Sequence, residues 1–84
     1  MEDLPKIVAR NVLRLRHEMG LSQEKLADQS KIDRSYFGKI ERGDANLTIK
    51  MVGKVATGLR VQPSVLFELP KDHAYRRWVE DKSQ

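Results

Sequence analysis

The stretch from Leu21 to Gly43, LSQEKLADQSKIDRSYFGKIERG, has the pattern of two short helices joined by a tight link. Ser22 and Asp33 each precede a run of helix-forming residues, and a side-chain oxygen at such a position accepts a hydrogen bond from the amides of the first helical turn. Hydrophobic residues bracket both caps, as in a hydrophobic staple. The sequence therefore predicts helices over residues 23–30 and 34–41. The residues expected to pack in the angle between them are Leu26, Ile32, Phe37 and Ile40.

Further helices are predicted on both sides of this pair. Apolar residues recur at helical spacing over residues 5–19, and Gly20 follows as a residue suited to a left-handed helix end. A fifth helix is predicted over residues 63–69, where Pro63 takes the favoured first position and Gln62 is a weak cap. The apolar positions of the first helix are Val8, Val12, Leu15 and Met19.

One segment fits two kinds of secondary structure. The run from Leu47 to Met51 alternates apolar and polar residues, which also fits a strand, and Gly53 costs a helix roughly 1 kcal/mol relative to alanine. However, the helical apolar spacing continues past Gly53, and a lone strand would find no partner elsewhere in the chain. A helix over residues 49–58 is therefore expected, with Thr48 as its cap.

Composition limits the class of protein. The 84 residues suit one small domain, and because cysteine is absent, neither a disulfide framework nor a thiolate metal site is expected. With 33% charged and 6% aromatic residues, the chain favours an all-α domain over a β-sandwich or barrel. No window approaches the roughly 18 apolar residues of a membrane span, and no secretion signal begins the chain. The expected compartment is the cytoplasm.

The positive charge is concentrated in the middle of the chain. Residues 10–60 hold eleven lysine or arginine residues against six acidic residues, whereas the flanking segments are slightly acidic. A basic middle segment is typical of a surface that meets phosphate, although a solvated helix face gives a similar count. Charge alone therefore leaves nucleic-acid binding and simple solubility as alternatives.

The two central helices and their link Ser30-Lys31-Ile32-Asp33 have helix-turn-helix spacing. This stretch resembles the signature of the Xre/lambda-repressor-like helix-turn-helix family, and the resemblance extends from about Val8 to Phe67. The run DRSYFGKIERG followed by NLTIK is most similar to the controller proteins of restriction-modification systems. The resemblance implies a five-helix DNA-binding domain over residues 1–69. The tail, residues 70–84, is expected to form either a sixth helix or a frayed end.

The family usually has glycine in the turn where this sequence has Lys31. A left-handed conformation at Lys31 would cost roughly 1 kcal/mol, so the sequence predicts either that strain or a turn that differs in detail.

The resemblance assigns the second central helix to the major groove of DNA. Arg34 at its start is expected to bond both acceptors of a guanine, with Ser35 and Lys39 also near base edges, while Gly38 leaves room for the DNA backbone or sugar. The alternative for Arg34 is a surface ion pair with Glu24 or Asp33. Contacts with phosphate are expected from Ser22, Gln23, Tyr36, Arg42, Asn46 and Thr48. For Arg42 a structural salt bridge is the alternative, and Glu41 is expected to form such a bridge.

A regulator of this family is expected to bind a palindromic operator in double-stranded DNA as a homodimer. The last predicted helix carries more apolar residues than one short helix face can bury. Its residues Val65, Leu66, Phe67 and Leu69 are therefore expected at the dimer interface. Tyr75 and Trp78 in the tail could brace that interface or pack elsewhere.

Two other functions remain alternatives at this point. One is an antitoxin that neutralises a partner protein through the tail, although Lys71 to Gln84 is short for that purpose; the other is a nonspecific nucleic-acid binder. No catalytic constellation is present, and no cofactor, metal, small-molecule ligand or membrane is predicted. His17 and His73 are expected to be surface residues. The leading hypothesis is a sequence-specific transcriptional regulator, either activator or repressor.

Overall fold

Four α-helices and a 3-10 turn follow one another along the chain in a computed structural model that describes residues 4–69. No strand occurs within these residues. The elements are α1 (Leu4–Glu18), α2 (Gln23–Ser30), α3 (Arg34–Arg42), α4 (Ile49–Leu59) and the 3-10 turn Pro63–Phe67. The four predicted α-helices are thus confirmed to within a residue at each end. The open choice at residues 47–51 is settled in favour of a helix that begins at Ile49.

The prediction of a fifth helix over residues 63–69 is wrong. That segment is one 3-10 turn, Pro63–Phe67, closed by hydrogen bonds such as that from the Val65 amide to the Gln62 carbonyl. Gln62 makes no side-chain cap bond, and prolines at both ends of the segment leave too little chain for α-helical bonds to accumulate. The domain is therefore all-α with four helices over the described residues. The predicted sixth helix of the tail lies outside those residues.

The predicted caps form at α2, α3 and α4. The Ser22 hydroxyl accepts from the Lys25 amide at 3.0 Å, the Asp33 carboxylate from the Tyr36 amide at 3.2 Å, and the Thr48 hydroxyl from the Met51 amide at 3.1 Å. Each bond satisfies an amide that the helix itself leaves unpaired. These local bonds fix where the three helices begin.

The turn between α2 and α3 contains the strain that the sequence predicted at Lys31. Lys31 is left-handed, with φ of 58°, and its amide bonds to the Asp28 carbonyl at 3.1 Å. The next amide, of Ile32, bonds to the Ala27 carbonyl at 3.0 Å, and the Ile32 side chain is buried. These bonds form a Schellman motif, which offsets the strain of a non-glycine residue and turns the chain sharply into α3.

The core lies between α1, α2, α4 and the buried side of α3. Leu26, Ile32, Phe37 and Ile40, the predicted contacts between the central helices, are all buried. The helices α2 and α4 approach each other closely at Gly58, where an added Cβ would lie 2.2 Å from the Ser30 hydroxyl oxygen. Small residues at this crossing hold α2, and with it the helix pair, against α4.

Asn11 of α1 holds the 3-10 turn in place. Its side-chain amide is buried and donates to the carbonyls of Leu66 at 2.8 Å and Glu68 at 2.9 Å. A buried amide that satisfies two carbonyls stabilises a segment with few bonds of its own. The turn consequently packs on α1, with the Leu66 side chain in the core.

Candidate nucleic-acid interface

The first turns of α3 present polar side chains to solvent. Arg34, Ser35 and Lys39 are exposed, and Arg34 makes no hydrogen bond or ion pair within residues 4–69. The surface pairing of Arg34 with Glu24 or Asp33, which was its alternative role, is thus not formed in this part of the chain. All five N–H donors of the Arg34 guanidinium are available to an external acceptor.

Gly38, in the middle of α3, leaves a gap in the row of side chains, and the side chains of its neighbours converge over it so that Gly38 itself is buried. An atom at the position of a Cβ on Gly38 would lie 3.4 Å from Nη1 of Arg34, 3.4 Å from Nη1 of Arg42 and 3.8 Å from Oε1 of Gln23. Arg34 precedes Gly38 by one helical turn and Arg42 follows by one, so the three share a face of α3. Two guanidinium groups and one side-chain amide thus surround the position that a Cβ of Gly38 would take.

A largely buried ion pair orients Gln23 at the start of α2. The Glu41 carboxylate accepts from Arg16 Nε at 2.6 Å and from Arg16 Nη2 at 3.1 Å, and it also accepts from Gln23 Nε2 at 2.8 Å. Because a paired carboxylate only accepts, the Gln23 nitrogen must face Glu41, and the Gln23 oxygen faces Gly38. Arg16 was not among the residues predicted for the site, and it lies 25 residues from its partner.

The start of α4 lies beside the exposed face of Tyr36. The Tyr36 hydroxyl donates to the Asn46 backbone carbonyl at 3.4 Å, which links α3 to the loop before α4. Asn46 and Thr48 are exposed, and Tyr36 is half-buried against the core. The structure thus places Tyr36 next to the N-terminus of α4, where free amides favour an anion.

Arg42 ends α3 in an exposed ion pair. Its Nε lies 3.4 Å from Oδ2 of Asp44, and the two side chains are 62% and 65% exposed. Such pairs contribute about 0–1 kcal/mol, so Asp44 holds Arg42 only weakly. A stronger anion could displace it.

The residues predicted for a dimer interface do not share one environment. Leu66 is fully buried in the core of the protomer, so its side chain is not available to a partner, whereas Phe67 is 40% exposed. Val65 and Leu69 are half-buried. Phe67 borders an apolar groove lined also by Leu4, Pro5, Val8, Leu47, Thr48, Ile49 and Val52.

The described residues contain no cluster of three or more side chains that could hold a metal ion. None of the described helices is long and apolar enough to cross a membrane. His17 is exposed at the end of α1, and His73 lies outside the described residues.

The geometry of α2 and α3 agrees with a comparison against protein families. The helix-turn-helix family model matches residues 12–66, from the middle of α1 to the 3-10 turn. The chain is a member of the helix-turn-helix family. Its α2 and α3 are the helix pair of that motif.

Known helix-turn-helix proteins include close relatives of this chain. It is 31% identical over 71 residues to the transcriptional regulator SutR of Escherichia coli, a match covering 84% of this chain but only 40% of SutR. The restriction-modification controller protein C.AhdI of Aeromonas hydrophila is 41% identical with a TM-score of 0.72, over 75% of this chain and 96% of that one. The controller C.Esp1396I, solved bound to a 19 base pair DNA duplex, is 39% identical with a TM-score of 0.72, over 79% and 88% of the two chains. These matches confirm the predicted resemblance to controller proteins.

Proposed function

We propose that this chain is a sequence-specific DNA-binding transcriptional regulator that acts in the cytoplasm as a homodimer on a palindromic operator. Within that class, we propose a controller of restriction-modification genes. The observation that carries the proposal is the first turn of α3, where Arg34 is exposed and has no partner within residues 4–69. The similarity to C.Esp1396I, which binds a DNA duplex, supports it.

In this proposal, α3 enters the major groove with its N-terminus first. Arg34 meets the O6 and N7 acceptors of a guanine, and Ser35 and Lys39 lie within reach of neighbouring bases. The caps of α3 and the packing of Phe37 and Ile40 in the core keep the helix rigid. A rigid helix loses little conformational entropy on binding, which favours discrimination between sequences.

Contacts with the phosphate backbone are proposed at both sides of α3. The N-terminus of α2 offers Ser22 and Gln23, and the N-terminus of α4 offers Asn46 and Thr48. A capping hydroxyl that accepts from a backbone amide still has its own O–H to donate to phosphate. Tyr36 and Arg42 of α3 complete the proposed phosphate contacts, which set the register of the protein on DNA.

The homodimer is proposed to form through the apolar groove beside the 3-10 turn. Ile49 is 91% exposed and Phe67 is 40% exposed, and both border this groove with Leu4. A second copy related by two-fold symmetry would cover the groove and place the two α3 helices on one face of the duplex, about 34 Å apart. Val65 and Leu69, which are half-buried, are proposed to lie at the edge of the interface.

Selection of bound duplexes from a random pool tests the function directly. The expected result is an enriched, inverted repeat whose half-sites are separated by about one helical turn. An Arg14→Ala variant serves as a charge control, because Arg14 is exposed on α1 and pairs with Glu18 at 3.3 Å. A pool that shows no enrichment, or one that enriches a single unrepeated half-site, contradicts the proposal of a dimeric, sequence-specific regulator.

A further inference from the structure

The guanidinium groups of Arg34 and Arg42 come together over Gly38, a position of α3 that has no side chain of its own. Nη1 of Arg34 and Nη1 of Arg42 each lie 3.4 Å from the position that a Cβ would take, and so no farther apart than twice that distance. Two like charges at so short a distance repel each other unless an acceptor lies between them. In the free protein the Gln23 Oε1 atom, 3.8 Å from the same point, is the nearest side-chain acceptor to it.

An oxygen atom at this point would lie 3.4 Å from each Nη1 atom, and small rotations of the two flexible arginine side chains would bring both to hydrogen-bond distance. Charge-assisted bonds of this kind have N–O distances of about 2.7–2.9 Å, a few tenths of an ångström shorter than the distances to the Cβ position. A phosphate oxygen carries negative charge, whereas the Gln23 oxygen carries only the partial charge of an amide. The phosphate is therefore the stronger acceptor for the gap.

We infer that Gly38, with Arg34 and Arg42, forms a niche that binds one phosphate of the DNA backbone, and that the missing side chain at position 38 is what admits it. This inference rests on the proposed DNA-binding function. Arg34 can serve the niche and a base together, because Nη1 faces the phosphate while the edge formed by Nε and Nη2 remains free for guanine. The niche thereby links the contact of Arg34 with a base to the position of the protein along the DNA backbone.

Glycine at position 38 lowers the stability of the folded protein. Glycine within a helix is less stable than alanine, and an alanine Cβ at position 38 would make only ordinary contacts with the movable ends of the arginine side chains. Gly38→Ala should therefore raise the thermal unfolding midpoint by roughly 4–8 °C. The same change should weaken binding to the selected duplex by roughly tenfold, as expected for the loss of one charge-assisted hydrogen bond.

Gly53→Ala is the matched control. Gly53 lies within α4, and an added Cβ there meets nothing within 4 Å. This variant should gain the same thermal stability as Gly38→Ala and bind the duplex like the wild type. The niche is overturned if Gly38→Ala binds the duplex as tightly as the wild type. It is also overturned if Gly38→Ala and Gly53→Ala lose the same amount of affinity. A wild-type chain that selects no DNA sequence overturns the proposed function itself, and the niche with it.

Duplexes with one phosphate replaced by a neutral methylphosphonate identify the occupant. At one phosphate per half-site, the roughly tenfold penalty of Gly38→Ala should disappear, because the neutral group no longer needs the niche. If the penalty persists at every substituted phosphate, the gap receives a base or sugar instead, and the inference of a phosphate niche is overturned.

Discussion

Arg16 of α1 and Glu41 of α3 form a largely buried ion pair, with Nε and Oε2 separated by 2.6 Å and with side-chain exposures of 12% and 5%. Arg16 also donates to the Leu21 carbonyl at 2.8 Å, and Glu41 accepts from Gln23. The pair thus connects the end of α1, the loop after it, the start of α2 and the end of α3. The ion pair thereby fixes the distance between Gln23, a proposed phosphate contact on α2, and α3, the proposed base-reading helix.

Removal of either partner of this pair should be strongly destabilising. Arg16→Ala or Glu41→Ala leaves a largely buried charge without its oppositely charged partner, and we expect the free energy of unfolding to fall by about 3–5 kcal/mol. Urea unfolding followed by circular dichroism measures the change. Arg14→Ala, at the exposed pair with Glu18, is the control and should cost under about 1 kcal/mol. Similar losses of unfolding free energy at the Arg16–Glu41 and Arg14–Glu18 pairs would show that burial does not strengthen the first pair.

Gly58→Ala should destabilise the crossing of α2 and α4. The new Cβ would lie 2.2 Å from the Ser30 hydroxyl oxygen and 3.0 Å from the Ser30 backbone nitrogen. Such crowding costs about 1–3 kcal/mol, which outweighs the roughly 1 kcal/mol gained from helix propensity. Ser30→Ala in the same chain should restore part of the loss, because it removes the closer atom but not the backbone. Thermal unfolding of the single and double variants decides this, and a stabilised Gly58→Ala would refute the close approach.

Arg34→Ala should reduce specificity more than general affinity. The loss of a bidentate contact with guanine should cost roughly 1–3 kcal/mol on the selected duplex in addition to the loss on random DNA, where only the phosphate contact of Arg34 is removed. Fluorescence anisotropy titrations on both duplexes at one salt concentration measure the two losses. Equal losses would make Arg34 a phosphate contact only.

The salt dependence of binding should distinguish the proposed phosphate contacts by charge. Arg42→Ala should flatten the slope of log affinity against log salt by about one unit, because one fewer counterion is released. Gln23→Ala and Asn46→Ala should weaken selected and random duplexes to similar degrees and leave the slope unchanged, since both side chains are neutral. An unchanged slope in Arg42→Ala would mean that its exposed pair with Asp44 is kept in the complex.

Phe67→Glu should separate the proposed dimer without unfolding the protomer. Phe67 is 40% exposed, so a charge there is tolerated by the fold but is costly in an apolar interface. Sedimentation velocity should show a shift from dimer towards monomer, with weaker operator binding and unchanged helical circular dichroism. Leu66→Glu is the contrasting variant, because Leu66 is fully buried and its replacement should unfold the protomer. A full-affinity dimer of Phe67→Glu would place the interface elsewhere.

The local features of the fold could be predicted from the sequence. Ser22, Asp33 and Thr48 cap their helices through bonds to amides three residues ahead. The left-handed turn at Lys31 closes through carbonyls at most five residues behind. Such bonds depend only on nearby residues, so side-chain chemistry and spacing are sufficient to predict them. The segment from Pro63 was misjudged because its apolar pattern fits an α-helix and a 3-10 turn equally well.

The relationships that shape the candidate site connect residues distant in the chain, and their pairing could not be read from spacing. Arg16 meets Glu41 across 25 residues, Gln23 meets Glu41 across 18, and Asn11 meets Leu66 across 55. The sequence supplied the charges and the amides, but many pairings were compatible with it. Packing of the four helices around one core selected among them, because a buried charge or amide is stable only where the fold brings it a partner.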